Sequence, residues 1–261
     1  MPMVPFTKAH GCGNDFLLIE GKYAPKDLKA FAVKICDRHR GIGADGVEWI
    51  FSDPQADARA RLFNADGSEA EISGNGTRCV AAYLVSKRKQ EKLTIRTGAG
   101  IKTCTLVRHD GNQFEFETAM GEPQVGNPLS IKLAFGEQVG IPVSMGNPHF
   151  VLFVDEFAPG WQAKASEIEH HHHFKFGTNV ELVRAVNKRE IYIRVFERGV
   201  GETQSSGTGS CASAVAAIAS GRAQSPVLVK APGGEQTVRW EGGVFLAGPA
   251  EIVCRGEFFS Q

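Results

Sequence analysis

Two serines carry the most chemical information in this chain. Ser73 precedes Gly74-Asn75-Gly76 and Ser206 precedes Gly207-Thr208-Gly209, and the two serines are 133 residues apart. Each triplet leads into a run that can form a helix, residues 77–84 in the first case and 210–220 in the second. A glycine-rich loop feeding a helix N-terminus presents unpaired backbone N–H groups and the positive end of the helix dipole, so it suits a carboxylate or a phosphate. A serine hydroxyl at such a place handles a proton only with a general base beside it. Neither serine has a His or Lys as a sequence neighbour.

The elements that must position these serines repeat with them. Phe63 and Phe196, Gly76 and Gly209, and Asn14 and Asn147 all share the spacing of 133. A glycine-rich loop alone is a weak signal, but two in one register imply an internal duplication of about half the chain. The expectation is a fold in which each half points one loop and one helix end at a shared site. Within the first half, residues 27–38 carry Leu28, Phe31, Ala32 and Ile35 at helical spacing, with Asp27 suited to the N-cap or first turn. Strands are expected at residues 16–19, 47–51, 60–63, 93–97, 101–108 and 113–118, separated by Gly-rich and Asp/Asn-rich turns. The stretch 121–128, rich in Gly and Pro, reads as a domain linker. The second half repeats the plan. Strands are expected at 138–144, 150–154, 181–183 and 191–196, a helix at 163–170, and hairpin strands at 227–230, 235–240 and 244–247. The helix at 210–220 is almost all Ala, Ser and Gly, a composition that packs closely against a neighbour.

The 261 residues are 42% hydrophobic and 22% charged with zero net charge, which fits two small domains or one large one. No basic cluster interleaved with aromatics points to nucleic acid. Lys87-Arg88-Lys89 reads as a solvated helix end. No stretch approaches the roughly 20 apolar residues of a membrane span. The first residues lack an apolar signal core, so a cytoplasmic protein is expected. Six cysteines without a CxxC are expected to be reduced and mostly buried. His170 to His173 read as a solvated loop rather than a metal patch.

At these motifs the chain resembles the diaminopimelate epimerase family. The residues that carry the resemblance are His10-Gly11-Cys12-Gly13-Asn14-Asp15, Phe63-Asn64-Ala65-Asp66-Gly67-Ser68-Glu69, Gly74-Asn75-Gly76, Val143-Ser144-Met145-Gly146-Asn147-Pro148-His149, Gly177-Thr178-Asn179, Glu197-Arg198-Gly199-Val200-Gly201-Glu202-Thr203 and Gly207-Thr208-Gly209. They follow the family's order and span nearly the whole chain. The resemblance implies an α+β fold of two pseudo-symmetric domains, each a mostly antiparallel sheet or barrel wrapped around a central helix. The halves are expected at residues 1–122, completed by the C-terminal strand 252–261, and at 123–251, with the active site in the cleft between them. The implied activity is cofactor-independent, metal-free epimerisation of LL- and meso-diaminopimelate by a homodimer, through two groups that face opposite sides of the α-carbon. By resemblance, Ser73 and Ser206 occupy the base and acid positions. Asn14, Asn64, Asn147 and Asn179 are expected to hold the substrate's polar groups, with His149 in support. Glu197 and Arg198 are expected to bind its distal end, and Gly74-Asn75 and Gly207-Thr208 its α-carboxylate.

The chain departs from that family at the central position, because both family cysteines are serine here. Cys79 and Cys211 lie within the helices and read as packed small hydrophobes. Cys12 lies in the Asn14 loop and is the other thiol expected near the cleft. Three readings stay open. The first is an engineered double Cys→Ser variant, made inert to hold substrate or to resist oxidation. The second is a branch that works with serine, either on diaminopimelate or as a racemase or dehydratase of another amino acid. The third is a binding protein that keeps the pocket without the chemistry. Gly46 is a second departure, since some family members carry a substrate-reaching side chain there.

Overall fold

The structure is a computed structural model and describes residues 3–134 and 136–259. Its chain divides into two units, one running to Thr118 and resuming at Gly248, the other covering Ala119–Ala247. The expected strand 252–261 falls in the first unit up to Phe259. Its last two residues lie outside the described residues.

The first unit contains β1 (Met3–Gly11), β2 (Asn14–Glu20), α1 (Leu28–Cys36), β3 (Gly46–Phe51), β4 (Ala58–Asn64), β5 (Glu69–Ala70), α2 (Gly74–Lys87), β6 (Lys92–Thr97), β7 (Gly100–Asp110) and most of β8 (Gln113–Gly121). Strands β1 and β2 pair antiparallel, β2 and β3 parallel, β3 and β4 antiparallel, and β4 and β6 parallel. Strands β2 and β3 are apolar on both faces, so both must be covered. Their alternation sends Leu17, Ile19, Val47 and Trp49 to a core with α1, and Phe16, Leu18 and Ile50 to a core with α2. Residues Gly74 to Leu84 of α2 are all buried, which makes α2 the helix that the strands wrap. Helix α1 starts where Asp27 Oδ1 accepts the Ala30 N–H at 3.0 Å. Asp27→Ala is expected to cost about 1 kcal/mol in urea unfolding, the usual value of an N-cap.

The second unit repeats this order with β9 (Gln124–Val125), β10 (Leu129–Leu133), β11 (Gly136–Ser144), β12 (Pro148–Phe153), α3 (Trp161–Glu169), β13 (Asn179–Asn187), β14 (Glu190–Glu197), β15 (Gly201–Thr203), α4 (Gly207–Ala219), β16 (Val227–Ala231), β17 (Gly234–Trp240) and the start of β18 (Val244–Phe259). The parallel pairs recur as β12 with β13 and β14 with β16. The duplication holds to the residue: Phe16 faces Gly46 in one unit and His149 faces Asn179 in the other, both pairs shifted by 133. Helix α4 is buried from Gly207 to Ala217, where its small residues let the surrounding strands close around it. The architecture is therefore α+β with a central helix in each unit, as the sequence predicted.

Two local expectations are corrected. The Gly-X-Gly triplets are not loops but the first turns of α2 and α4, with Ser73 and Ser206 as N-caps in extended backbone. A serine hydroxyl can accept a first-turn N–H, and that bond lets the helix start before its glycines. The stretch 121–128 is not a bare linker, because Gln124 and Val125 pair with Ser144 and Val143 of β11.

Candidate active site

Each unit gathers polar side chains around its central helix cap. In the first, Ser73 Oγ accepts the Gly76 N–H at 3.1 Å, and Thr77 Oγ1 donates to the Ser73 carbonyl at 2.8 Å. Beside this turn, β1 reverses into β2 through Cys12 and Gly13, both with positive φ (53° and 78°). That conformation is costly for a side-chain-bearing residue such as Cys12. The reversal brings Asn14 to α2, where Asn75 Nδ2 donates to Asn14 Oδ1 at 3.3 Å. Asn14 Nδ2 in turn donates to Asp45 Oδ2 at 2.7 Å. Arg38 donates to both Asp15 and Asp45, at 2.7 Å and 2.8 Å, and Lys8 lies 3.0 Å from Asp15. Burial pushes the Asp15 carboxyl up, but the hydrogen bonds and charges of Arg38 and Lys8 outweigh it and hold the group below its usual range. Asn64, at the end of β4 opposite Gly46, donates to Ser68 Oγ at 3.0 Å.

Arg78, one turn into α2, is fully buried. Its guanidinium donates to Asn75 Oδ1 at 2.5 Å and to the Pro249 carbonyl at 3.2 Å. Its counterpart by spacing in the second unit is Cys211.

The cluster of the second unit is more densely connected. Ser206 Oγ accepts the Gly209 N–H at 3.2 Å and donates to Glu197 Oε2 at 3.4 Å. Glu197 Oε1 accepts Thr203 Oγ1 at 2.8 Å. Asn147 Nδ2 donates to Thr208 Oγ1 at 3.3 Å, repeating the Asn14–Asn75 bond. His149 sits between two oxygens, with Nδ1 2.7 Å from Glu181 Oε1 and Nε2 3.0 Å from Asn147 Oδ1. Asn179 Nδ2 donates to the Pro148 carbonyl, and its Oδ1 accepts the Arg198 N–H at 3.0 Å. The Arg198 side chain is exposed and donates to the Phe176 carbonyl at 3.3 Å. Burial raises the Glu197 carboxyl above its usual range, and the Glu181 charge adds to this against the hydrogen bonds from Thr203 and Ser206.

The structure thus gathers Asn14, Gly74 and Asn75 with Ser73, and Asn147, His149, Asn179, Glu197, Gly207 and Thr208 with Ser206. Cys79 and Cys211 are fully buried inside their helices, as expected of packing residues, and burial raises the Cys12 thiol as well. The segment from His170 to His173 is largely exposed. Among the described residues no three His, Cys, Asp or Glu side chains are placed to hold a metal ion.

Two functional candidates escaped the sequence reading. Glu48 and Glu181 are fully buried carboxylates on β3 and β13, again 133 residues apart. Both lie against the helix starts: a Cβ built on Gly76 would overlap Glu48 Oε1, and one built on Gly209 would lie 2.9 Å from Glu181 Oε1. Burial alone pushes the Glu48 carboxyl up to about 8. Burial also raises Glu181, against the pull of His149. The available signal was an acidic residue inside each apolar strand, Val47-Glu48-Trp49 and Val180-Glu181-Leu182, at the same spacing as the serines.

A family model described as diaminopimelate epimerase matches residues 6–126 and 141–253. The diaminopimelate epimerase of Pelotomaculum thermopropionicum is 40% identical over 97% of this chain and 98% of its own, and that of Halothermothrix orenii is 39% identical over 98% of each. Among solved structures, a hydroxyproline epimerase from Agrobacterium vitis superposes with a TM-score of 0.81 over 98% of this chain and 92% of its own, at 16% identity. A PhzF-family phenazine biosynthesis protein from Bacillus anthracis gives 0.77 over all of both chains, also at 16%. The last two likenesses speak to the fold alone.

Proposed function

This chain belongs to the diaminopimelate epimerase family, and on that premise we propose that it interconverts LL- and meso-diaminopimelate, a step of lysine and cell-wall precursor synthesis, by moving the proton of one α-carbon. The observation that supports the reading is the doubled N-cap. In each unit a serine, a buried carboxylate and an asparagine side chain converge on the first turn of a central helix. Carbanion chemistry next to a carboxylate needs charge stabilisation that is in place before the proton leaves. The first-turn backbone at Gly74-Asn75 and Gly207-Thr208 is assigned the α-carboxylate on that ground. Asn14, Asn64, Asn147 and Asn179 are assigned to the remaining polar groups and Arg198 to the distal end, while Glu197, expected there from the resemblance, is assigned instead to Ser206. Cytoplasmic location, a homodimer and the lack of an organic cofactor or metal belong to the same reading.

Ser73 and Ser206 are the proton-transferring positions, one from each unit. The free hydroxyl is too weak an acid to work alone, and Ser206 does not stand alone. It donates to Glu197 Oε2, a carboxyl raised by burial and so a stronger base than one in water. When Ser206 takes the α-proton, its own proton passes to Glu197, and the C–H electron pair stays on the α-carbon. Glu197→Gln is expected to slow α-proton exchange about 100-fold, the usual size of one general base, with diaminopimelate binding kept within tenfold. NMR of the substrate in D2O checks the rate and calorimetry the binding. Heat-silent mixing with both stereoisomers would remove the substrate assignment. Binding with no exchange would select the silent amino-acid-binding protein instead.

A further inference from the structure

The two units hold the same asparagine in different ways. In the first, Asn14 is oriented from both ends by groups with one fixed role. Arg78, which can only donate, gives a hydrogen bond to Asn75 Oδ1 at 2.5 Å. Asn75 therefore turns its Nδ2 to Asn14 Oδ1, 3.3 Å away. At the other end Asn14 Nδ2 donates to Asp45 Oδ2 at 2.7 Å, and a carboxylate only accepts. Arg38 binds the second oxygen of Asp45 at 2.8 Å. The spacing of 133 shows what the second unit has in these places: Thr208 for Asn75, Cys211 for Arg78 and Thr178 for Asp45. Thr208 Oγ1 accepts from Asn147 Nδ2 at 3.3 Å, but a hydroxyl donates as readily as it accepts and cannot fix which way round an amide stands. Cys211 packs in the apolar core around α4, and Thr178 Oγ1 donates to the Asn179 carbonyl at 3.1 Å. All three fixed-role groups of the first unit are thus replaced.

What the second unit has instead is a ring backed by an acid. His149 stands where the first unit has Phe16, and its Nε2 lies 3.0 Å from Asn147 Oδ1. Its Nδ1 lies 2.7 Å from Glu181 Oε1, and both side chains are fully buried. Glu181 Oε1 also faces the first turn of α4, where a Cβ on Gly209 would lie 2.9 Å from it, so the carboxyl is held between ring and helix. An imidazole transmits what a hydroxyl does not, because the hydrogen on one ring nitrogen is set by the bond that the other makes. We propose that Glu181 is a positioning residue for substrate binding: through His149 it sets which way round the Asn147 amide stands, and so which end of that amide, N–H or carbonyl, meets a given group of the substrate. The proposal rests on the epimerase reading above, which assigns Asn147 to a polar group of the substrate. An amide free to turn divides its population between two senses, only one of which fits, and the apparent affinity falls with the competent fraction. Glu181 does for Asn147 what Arg78 and Asp45 do for Asn14.

The test is a double-mutant cycle of Glu181→Gln and Asn147→Ala. Calorimetry reads the binding of LL- and meso-diaminopimelate, and nitrogen NMR reads the state of the His149 ring in the ligand-free chains. Binding is read rather than turnover because it needs no proton transfer at Ser73 or Ser206. Glutamine keeps the shape of Glu181 but can offer Nδ1 either a donor or an acceptor. The His149 ring is expected in one state in the native chain and in two in Glu181→Gln. Glu181→Gln should weaken binding about tenfold, the size of one hydrogen bond. Added to Asn147→Ala, it should weaken binding by no more than about twofold, because the amide it acts on is gone. His149→Phe, which gives the second unit the residue that the first has at Phe16, is the second variant. It should show the same loss and the same dependence on Asn147. Equal losses with and without the Asn147 amide would mean a general structural role and overturn the proposal. So would unweakened binding in Glu181→Gln, or a His149 ring state that Glu181→Gln leaves unchanged. A native chain that binds neither stereoisomer would overturn the substrate reading instead. The split ring state in Glu181→Gln would then still support the positioning role, and its absence would overturn that too.

Discussion

Ser73→Cys/Ser206→Cys is expected to raise the rate of diaminopimelate epimerisation by roughly 1,000-fold, the middle of the range for a well-placed general acid or base. Both positions are helix N-caps whose side-chain oxygen accepts an N–H of the first turn, Gly76 in one unit and Gly209 in the other. A thiol there keeps nearly the same volume and reach. It gains what the hydroxyl lacks, because the positive end of a helix favours the thiolate and lowers its pKa from about 8.5 towards neutrality. The hydroxyl gains from the same field but starts many units higher, so it stays protonated, and Ser206 depends on Glu197. The exchange has a structural cost, since sulfur is the poorer acceptor for a cap. Loss of the two caps should lower stability by about 1 kcal/mol each. A double variant that binds diaminopimelate with no gain in α-proton exchange over the native chain would show that the two positions do not address the α-carbon.

Glu48→Gln is expected to change how stability depends on pH. The Glu48 carboxyl is raised from 4.5 in the unfolded chain to about 8 in the folded one. Between those values the folded protein holds a proton that the unfolded chain has released. Stability from this group is therefore highest below pH 4.5, falls as pH rises, and levels off above about 8. At 1.36 kcal/mol per unit, the full swing is roughly 4–5 kcal/mol. Glutamine keeps the shape and has nothing to titrate, so the advantage of Glu48→Gln over the native chain should grow from pH 5 to pH 8.5. Urea unfolding midpoints at a series of pH values check it; parallel curves for the two chains would contradict the buried-acid assignment. A difference between the chains is the right measure, because Glu181 and Glu197 are raised in both.

A second relation follows from the same contact. Gly76 and Gly209 are needed for closeness rather than for backbone freedom. Each leaves room for a carboxylate oxygen where a side chain would stand, Glu48 against Gly76 and Glu181 against Gly209. The glycines that looked like loop formers are spacers between a helix start and a buried acid.

The sequence by itself determined the plan of this protein. Repetition is a property of order, so the spacing of 133 between Ser73 and Ser206, Asn14 and Asn147, and Phe63 and Phe196 was visible without coordinates, and the paired strands repeat it to the residue. The mixed strand-and-helix plan of each half followed from its apolar runs, and the motifs around Asn14, Asn147 and Glu197 carried the family and, by resemblance, the α+β class. Other features were decided only by tertiary structure, because they depend on which face of a strand meets which turn of a helix. Glu48 and Glu181 read as ordinary strand residues until alternation sent them under α2 and α4, where burial alters their acidity. The contact of the Glu197 carboxyl with Ser206 Oγ was likewise set by the turn before α4. Whether a serine cap has a base depends on how the backbone turns between the two side chains, and only folding decides that.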